Sequence, residues 1–89
     1  MDVEKILKKA LKGKVYLGSK RTIKALKRKE AKLVIISSNC PKKIKEKIEK
    51  YKGDVPVLVY PGTNMELGAA CGKPFSVASL VVIDAEDLI

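Results

Sequence analysis

The sequence predicts an α/β protein, a three-layer α/β/α sandwich with a mixed, roughly four-stranded sheet. Amphipathic helical segments alternate with short β-branched runs along the whole chain. One of these runs, 33–36, is apolar at every position, which is typical of a central strand buried on both faces. The length of 89 residues suits one domain with a modest core. We therefore expect a single domain over residues 1–89.

The first helix is predicted between Asp2, a possible N-cap, and Gly13, a possible stop. Its apolar stripe has helical spacing and comprises Val3, Ile6, Leu7, Ala10 and Leu11. The run 15–17 is then β-prone and ends at Gly18-Ser19. Ser19 is predicted to cap a second helix whose residues Ile23 and Leu26 face inward. The exposed face of this helix is basic and carries Lys20, Arg21, Lys24, Lys27 and Arg28.

The third helix is predicted after the central strand, with Pro41 in its first turn and Gly53 as its stop. Its inner face comprises Ile44, Ile48 and Tyr51. The run 57–60 is the next predicted strand, and Pro56 suggests that this strand lies near an edge of the sheet.

The fourth helix is predicted from Thr63 and Glu66, which have the spacing of a capping box, and it ends at Gly72. Its apolar stripe comprises Leu67, Ala70 and Cys71. Gly68 and Ala69 are small enough to allow another backbone or a ligand to approach closely.

A loop and a final strand close the predicted sandwich. The loop 73–76 carries the only Phe of the chain, a strand is predicted over 77–83, and residues 84–89 read as an acidic tail. Ligands of such folds lie at the end of the sheet where loops after strands converge. Three loops qualify as members of that site: 18–21, 37–41 and 72–76. The last precedes its strand, so that strand must run antiparallel.

Composition argues against catalysis. The chain has no His, and its two cysteines, Cys40 and Cys71, are isolated, which removes most zinc sites and every Ser-His-Asp or Cys-His arrangement. We expect no metal and no cofactor. One enzymatic alternative is a Cys40 thiolate acting as a phosphatase nucleophile, but the Arg expected about six residues later is Glu46.

The charge of the chain is polarised and basic. The net charge is +9 overall, with +13 on residues 1–52 and −4 on residues 53–89. Surface ion pairs of the thermophile type are one explanation, but the acids are too few to pair the lysines. The excess favours a polyanionic partner, and nucleic acid more than a membrane. The start lacks the order of a signal peptide and no run approaches the roughly 18 residues of a membrane span, so we expect a cytoplasmic protein.

The three loops together supply the chemistry of RNA binding. Residues 18–21 place backbone N–H groups and two cations at a helix start, which suits phosphate. Asn39 offers a donor and an acceptor that can read a base edge, and helix capping is the alternative. Phe75 can stack on an unpaired base, and the alternative is a ring that folds back onto the core.

Four segments of the chain resemble the L30e family of large-subunit ribosomal proteins of archaea and eukaryotes, in particular its archaeal members. These segments are 15–24, 32–41, 62–68 and 72–75. The family belongs to a superfamily of kink-turn RNA binders. The resemblance implies an α/β/α fold, no catalysis, and binding to a bent internal loop of large-subunit ribosomal RNA. Kink-turn readers of the superfamily usually carry Asn-Glu where this chain has Lys20-Arg21, a change that is normal for the L30e branch.

The resemblance also implies an RNA-binding set and partners. By position, the family's RNA face falls on Gly18, Ser19, Lys20, Arg21, Lys24, Asn39, Asn64, Gly72, Lys73, Pro74, Phe75 and Val77. The implied partners are ribosomal RNA and neighbouring ribosomal proteins on the cytoplasmic ribosome, with no membrane partner and a monomer when free. The alternative is a kink-turn adaptor in another ribonucleoprotein, for RNA modification or processing.

Overall fold

The computed structural model describes residues 2–84, and within them four helices alternate with four strands. In chain order the elements are α1 Val3–Leu11, β1 Lys14–Leu17, α2 Ser19–Lys27, β2 Leu33–Ile36, α3 Lys42–Tyr51, β3 Val57–Val59, α4 Asn64–Ala70 and β4 Ser79–Asp84. None of the helices in this part of the chain is long and apolar enough to cross a membrane.

The sheet is mixed, as predicted. Its strand order is β1-β4-β2-β3, with β2 parallel to β3 and β4 antiparallel to both of its neighbours. β3 is an edge strand, which confirms the expectation from Pro56. Because β4 runs opposite to the other three strands, its start lies beside the ends of β1, β2 and β3. We call this end of the sheet the loop edge.

Helices cover both faces of the sheet, which confirms the three-layer architecture. Successive side chains of a strand point to opposite faces. Leu33 and Ile35 of β2 accordingly pack in the cluster that contains α1 and α4, whereas Val34 and Ile36 pack with α2 and α3. All four side chains are at most 3% exposed. A strand covered on both sides has no solvent face, and this explains its uninterrupted apolar sequence.

Two predicted helix caps are confirmed. The Asp2 Oδ1 atom accepts from the Glu4 and Lys5 N–H groups at 3.0 and 3.3 Å. At α4, the Thr63 hydroxyl accepts from the Glu66 N–H at 3.3 Å, and the Glu66 carboxylate accepts from the Thr63 N–H at 3.2 Å. Both are local contacts, so the residue spacing was sufficient to predict them.

The prediction that Ser19 caps α2 is wrong. Gly18 occupies the N-cap position with φ 102° and ψ 151°, a conformation in which a side chain would be strained. Its carbonyl accepts from the Thr22 N–H at 3.0 Å and from the Thr22 hydroxyl at 2.8 Å. Similarly, Pro41 lies at the N-cap of α3 rather than inside its first turn.

The buried face of α4 and the start of the last strand also differ from the prediction. Ala70 is exposed, so the buried residues of α4 are Leu67 and Gly68. The last strand begins at Ser79 because the Val77 N–H donates to the Asn64 carbonyl at 2.9 Å and not to a neighbouring strand. Asp84 pairs with Lys14 and ends β4, and residues 85–89 of the predicted acidic tail lie outside the described residues.

Candidate nucleic-acid interface

The three predicted loops lie at the loop edge, and backbone hydrogen bonds tie two of them to the start of β4. The Gly18 N–H donates to the Ser79 carbonyl at 2.9 Å, and the Ser37 N–H donates to the Ala78 carbonyl at 2.8 Å. Both bonds attach a loop that follows a strand to residues 78–79, where β4 begins. The antiparallel direction of β4 therefore assembles residues far apart in sequence into one surface.

The start of α2 supplies the positive charge of this surface. No side chain of the described residues caps this helix start, and its first turn carries no acidic residue. Lys20, Arg21 and Lys24 are exposed around it. The partly buried Ser19 hydroxyl accepts from the Ser79 hydroxyl at 2.9 Å, which ties the helix start to β4. An open, basic helix N-terminus on a rigid support can hold a phosphate group.

Asn39 and Asn64 form a hydrogen-bonded pair of amides. The Asn39 Oδ1 atom accepts from the Asn64 N–H at 2.8 Å and from the Ser37 hydroxyl at 3.0 Å. The Asn39 amide nitrogen donates to the Asn64 Oδ1 atom at 3.3 Å. The Asn39 side chain thus caps the first residue of α4, and it does not cap α3, the helix that follows it in the chain. An amide has two donors and an acceptor, so this oriented pair retains groups that can bond a base edge.

Asn39 was predicted from its place after a strand, without its partner. Asn64 entered the predicted set through the family resemblance only. The two side chains lie 25 positions apart, and no local pattern connects them. A long-range contact of this kind depends on which strands are neighbours, and that is decided by the packing of the whole sheet.

The loop 72–76 projects the Phe75 ring into solvent. The side chain is 56% exposed, so the alternative of a ring folded onto the core is wrong. The loop backbone is held against α4, where the Phe75 carbonyl lies so close to Gly68 that a Cβ atom there would collide with it. The Lys73 N–H also donates to the Gly68 carbonyl at 3.0 Å. The predicted close approach at Gly68 is therefore confirmed, and it fixes the loop that carries Phe75.

A cavity of about 540 Å³ lies beside the Phe75 ring. Leu17 and Cys71 contribute apolar walls, while Arg21 and Lys73 contribute positive charge. The Arg21 guanidinium carbon is also 5.8 Å from the centre of the Tyr16 ring, a cation–π contact that sequence reasoning did not predict. An apolar wall flanked by cations can accommodate a base together with its phosphate.

The other members of the predicted set divide into exposed and buried residues. Gly72 and Pro74 are exposed in the same loop as Phe75. Val77 is only 1% exposed and packs in the core cluster with α1 and α4. Its side chain therefore cannot act as a contact residue in this structure, and its place in the set is structural.

Cys40 does not have the environment of a reactive thiol. It is 8% exposed and packs in the cluster that contains α2 and α3. Burial raises the pKa of the Cys40 thiol, and the nearby Lys45 only partly opposes this effect. A buried thiol of raised pKa is a poor nucleophile, which argues against the phosphatase alternative.

Comparisons with known proteins identify relatives of the chain. A family model described as "Ribosomal protein L7Ae/L30e/S12e/Gadd45 family" matches residues 1–89. The chain is 57% identical over 84 residues to the large ribosomal subunit protein eL30 of Archaeoglobus fulgidus, a match that covers 93% of this chain and 95% of that protein. It is 51% identical over 86 residues to the eL30 protein of Methanopyrus kandleri, which covers 93% and 79% of the two chains.

Solved structures show the same fold. A Bacillus halodurans protein of unknown function has a TM-score of 0.65 and 31% identity, with 80% of this chain and 72% of that chain covered. A Giardia lamblia 15.5kD RNA binding protein has a TM-score of 0.75 and 20% identity, with 98% and 75% covered. At that identity the second comparison shows a shared fold alone.

Proposed function

Because the chain belongs to the ribosomal protein L7Ae/L30e/S12e/Gadd45 family, we propose that it is a structural constituent of the large ribosomal subunit. Its role there is to bind a kink-turn-like internal loop of ribosomal RNA, beside neighbouring ribosomal proteins. The archaeal relatives, which are named large ribosomal subunit proteins, support this role and a protein without catalytic activity. The cytoplasmic ribosome is accordingly its location.

The loop edge is the RNA-binding surface in this proposal. The observation that carries it is the Asn39–Asn64 amide pair, which lies at the loop edge together with the basic start of α2 and the loop of Phe75. The helix start holds phosphate, the amides read base edges, and the exposed ring stacks on a base that has left its helix. A sharply bent internal loop presents all three kinds of group close together.

The departure at Lys20-Arg21 defines which RNA is preferred. Side chains of these two residues donate hydrogen bonds and carry positive charge, whereas a Glu at this place would accept from guanine. We therefore expect tighter binding to the cognate ribosomal loop than to a standard kink-turn of sheared G·A pairs. Equal affinity for both RNAs would contradict this assignment of the two residues.

RNA crosslinking in cells tests the proposed function. We expect the protein to crosslink to one internal loop of large-subunit ribosomal RNA, through peptides that contain Lys20 or Phe75. The Asn39→Ala variant should lose most of this crosslinking signal. The Lys5→Ala variant should retain it, because Lys5 lies on α1, on the face of the sheet opposite α2. Crosslinks to guide RNAs at a comparable level would favour an adaptor of another ribonucleoprotein instead.

A further inference from the structure

A groove between α2 and α3 is lined by lysines. Its volume is about 470 Å³, and Ile23 and Ile44 contribute half-buried apolar surface to it. The charged residues that line it are Lys20, Lys24, Lys27, Lys43 and Lys47. The lysines are spaced by four and three positions on α2 and by four on α3, so each helix presents one row of ammonium groups to the groove.

The charge of this groove is uncompensated. Among the described residues, no carboxylate lines it, and all five lysines are exposed. At the far end of α2, the Lys27 Nζ atom lies 4.9 Å from the centre of the Tyr51 ring, so a contact to α3 holds this cation. Like charges in such a row repel one another and lower the stability of the free protein, and a bound polyanion removes this repulsion.

The groove is continuous with the loop edge. β1 and β2 run in the same direction, so α2 and α3, which follow them, both begin at the loop edge. Lys20 and Lys24 belong to the predicted loop-edge set and also line the groove. The nine residues of α2 extend about 14 Å away from the edge. A row of cations of that length fits a chain of phosphates better than a single small anion.

We propose that the phosphate backbone of a double-stranded arm, adjacent to the internal loop held at the loop edge, lies in the groove between α2 and α3. This inference rests on the proposed function, because the loop edge fixes where the arm leaves. Lys27, Lys43 and Lys47 contact phosphates of the arm and carry no sequence information. They add affinity and set the direction of the arm relative to the protein.

The test compares three RNAs and two triple variants. All three RNAs contain the same ribosomal internal loop; one has both arms at full length, and each of the other two has one arm truncated. The groove variant is Lys27→Gln/Lys43→Gln/Lys47→Gln, which leaves the loop-edge residues intact. The matched control is Lys5→Gln/Lys8→Gln/Lys12→Gln, which removes the same charge from α1 and its C-terminal end on the opposite face of the sheet.

We expect the groove variant to bind the full-length RNA about 10- to 100-fold more weakly at moderate salt, with a slope of log K against log salt that is smaller by about 2. For the RNA that lacks the arm lying in the groove, the affinity of the groove variant should equal that of the parent protein. The control should change neither affinity more than about twofold. The melting temperature of the groove variant at low salt should stay close to that of the parent, because loss of the Lys27–Tyr51 contact opposes the gain from removing repulsion.

Three results would overturn the inference. Parent affinity that does not depend on either arm, or an equal loss for the groove and control variants, leaves the groove with no role in RNA binding. Normal RNA binding by the groove variant combined with failure to enter the large subunit would assign the groove to an acidic protein partner instead. In contrast, failure of the parent to bind even the full-length RNA would refute the proposed function itself.

Discussion

Replacement of Phe75 by Ala separates RNA contact from folding. A fully buried Phe contributes about 3 to 5 kcal/mol of stability when truncated to Ala. The Phe75 ring is 56% exposed, so less than half of its surface is removed from water. Complete burial of such a side chain is worth about 1.5 to 3 kcal/mol, which limits the expected loss for Phe75→Ala to about 1 kcal/mol. In a chain of this size that is a fall in melting temperature of roughly 4 to 8 °C.

The expected effect of Phe75→Ala on RNA affinity is larger. Stacking of a base on an aromatic side chain is worth about 1 to 3 kcal/mol by alanine substitution, a loss of roughly fivefold to hundredfold in affinity. Titration of the ribosomal internal loop RNA into the folded variant measures this loss, and thermal unfolding measures the stability. Phe75→Leu is the matched control, because it keeps an apolar side chain and removes the aromatic face.

The opposite pattern would remove Phe75 from the RNA-binding surface or place it in the core. A large fall in melting temperature with unchanged affinity of the folded fraction would place the ring in the core. Parent-like affinity of both the Ala and the Leu variant would remove Phe75 from the contact surface. RNA binding would then rest on the basic start of α2 and the Asn39–Asn64 pair.

The remaining predictions concern a cap, a close approach and salt. Thr63→Ala should lower the stability of the protein by about 1 kcal/mol because the capping box is lost, and the RNA affinity of the folded protein should stay nearly unchanged. Thermal unfolding and RNA titration check this, and a collapse of affinity at constant stability would make Thr63 a contact residue. Gly68→Ala should lower the stability of the protein by about 1 to 3 kcal/mol and also weaken RNA binding, because the new Cβ atom displaces the Phe75 carbonyl. Unchanged stability and unchanged RNA affinity would show that the loop 72–76 is not held by its close contact with Gly68. RNA affinity should fall as the salt concentration rises, and the slope of log K against log salt should be about 0.7 to 0.9 for each phosphate contacted by residues such as Lys20, Arg21 and Lys24. A salt-independent affinity would count against RNA as the ligand.

Prediction from the sequence succeeded where the determining contacts are local. α1 lies between the predicted Asp2 cap and Gly13, and the central strand is 33–36 as predicted. Helical periodicity, the Thr63–Glu66 spacing and an all-apolar strand each depend on residues within a few positions of one another. Ser19 shows the limit of such local reasoning, because its hydroxyl bonds Ser79, 60 positions away, and leaves the cap position to Gly18.

Membership of the RNA-binding surface was predictable in part. The basic helix start and the exposed Phe75 follow from composition and loop chemistry, and the family resemblance added Asn64. Val77 was included by position although it is buried, since a match by position does not report which way a side chain points. The lysines of α3 were not assigned to any site from the sequence, and their place opposite those of α2 emerges only when the two helices pack side by side.

Local patterns along the chain were enough to predict the identity and order of the elements, the caps of α1 and α4, and the mixed direction of the sheet. Tertiary structure alone decided the strand order β1-β4-β2-β3, and with it the meeting of Asn39 with Asn64 and the facing lysine rows of α2 and α3. The physical reason is the range of the interactions. Backbone propensity and capping act over about one helical turn, whereas the neighbour of each strand is selected by the burial of apolar surface over the whole domain.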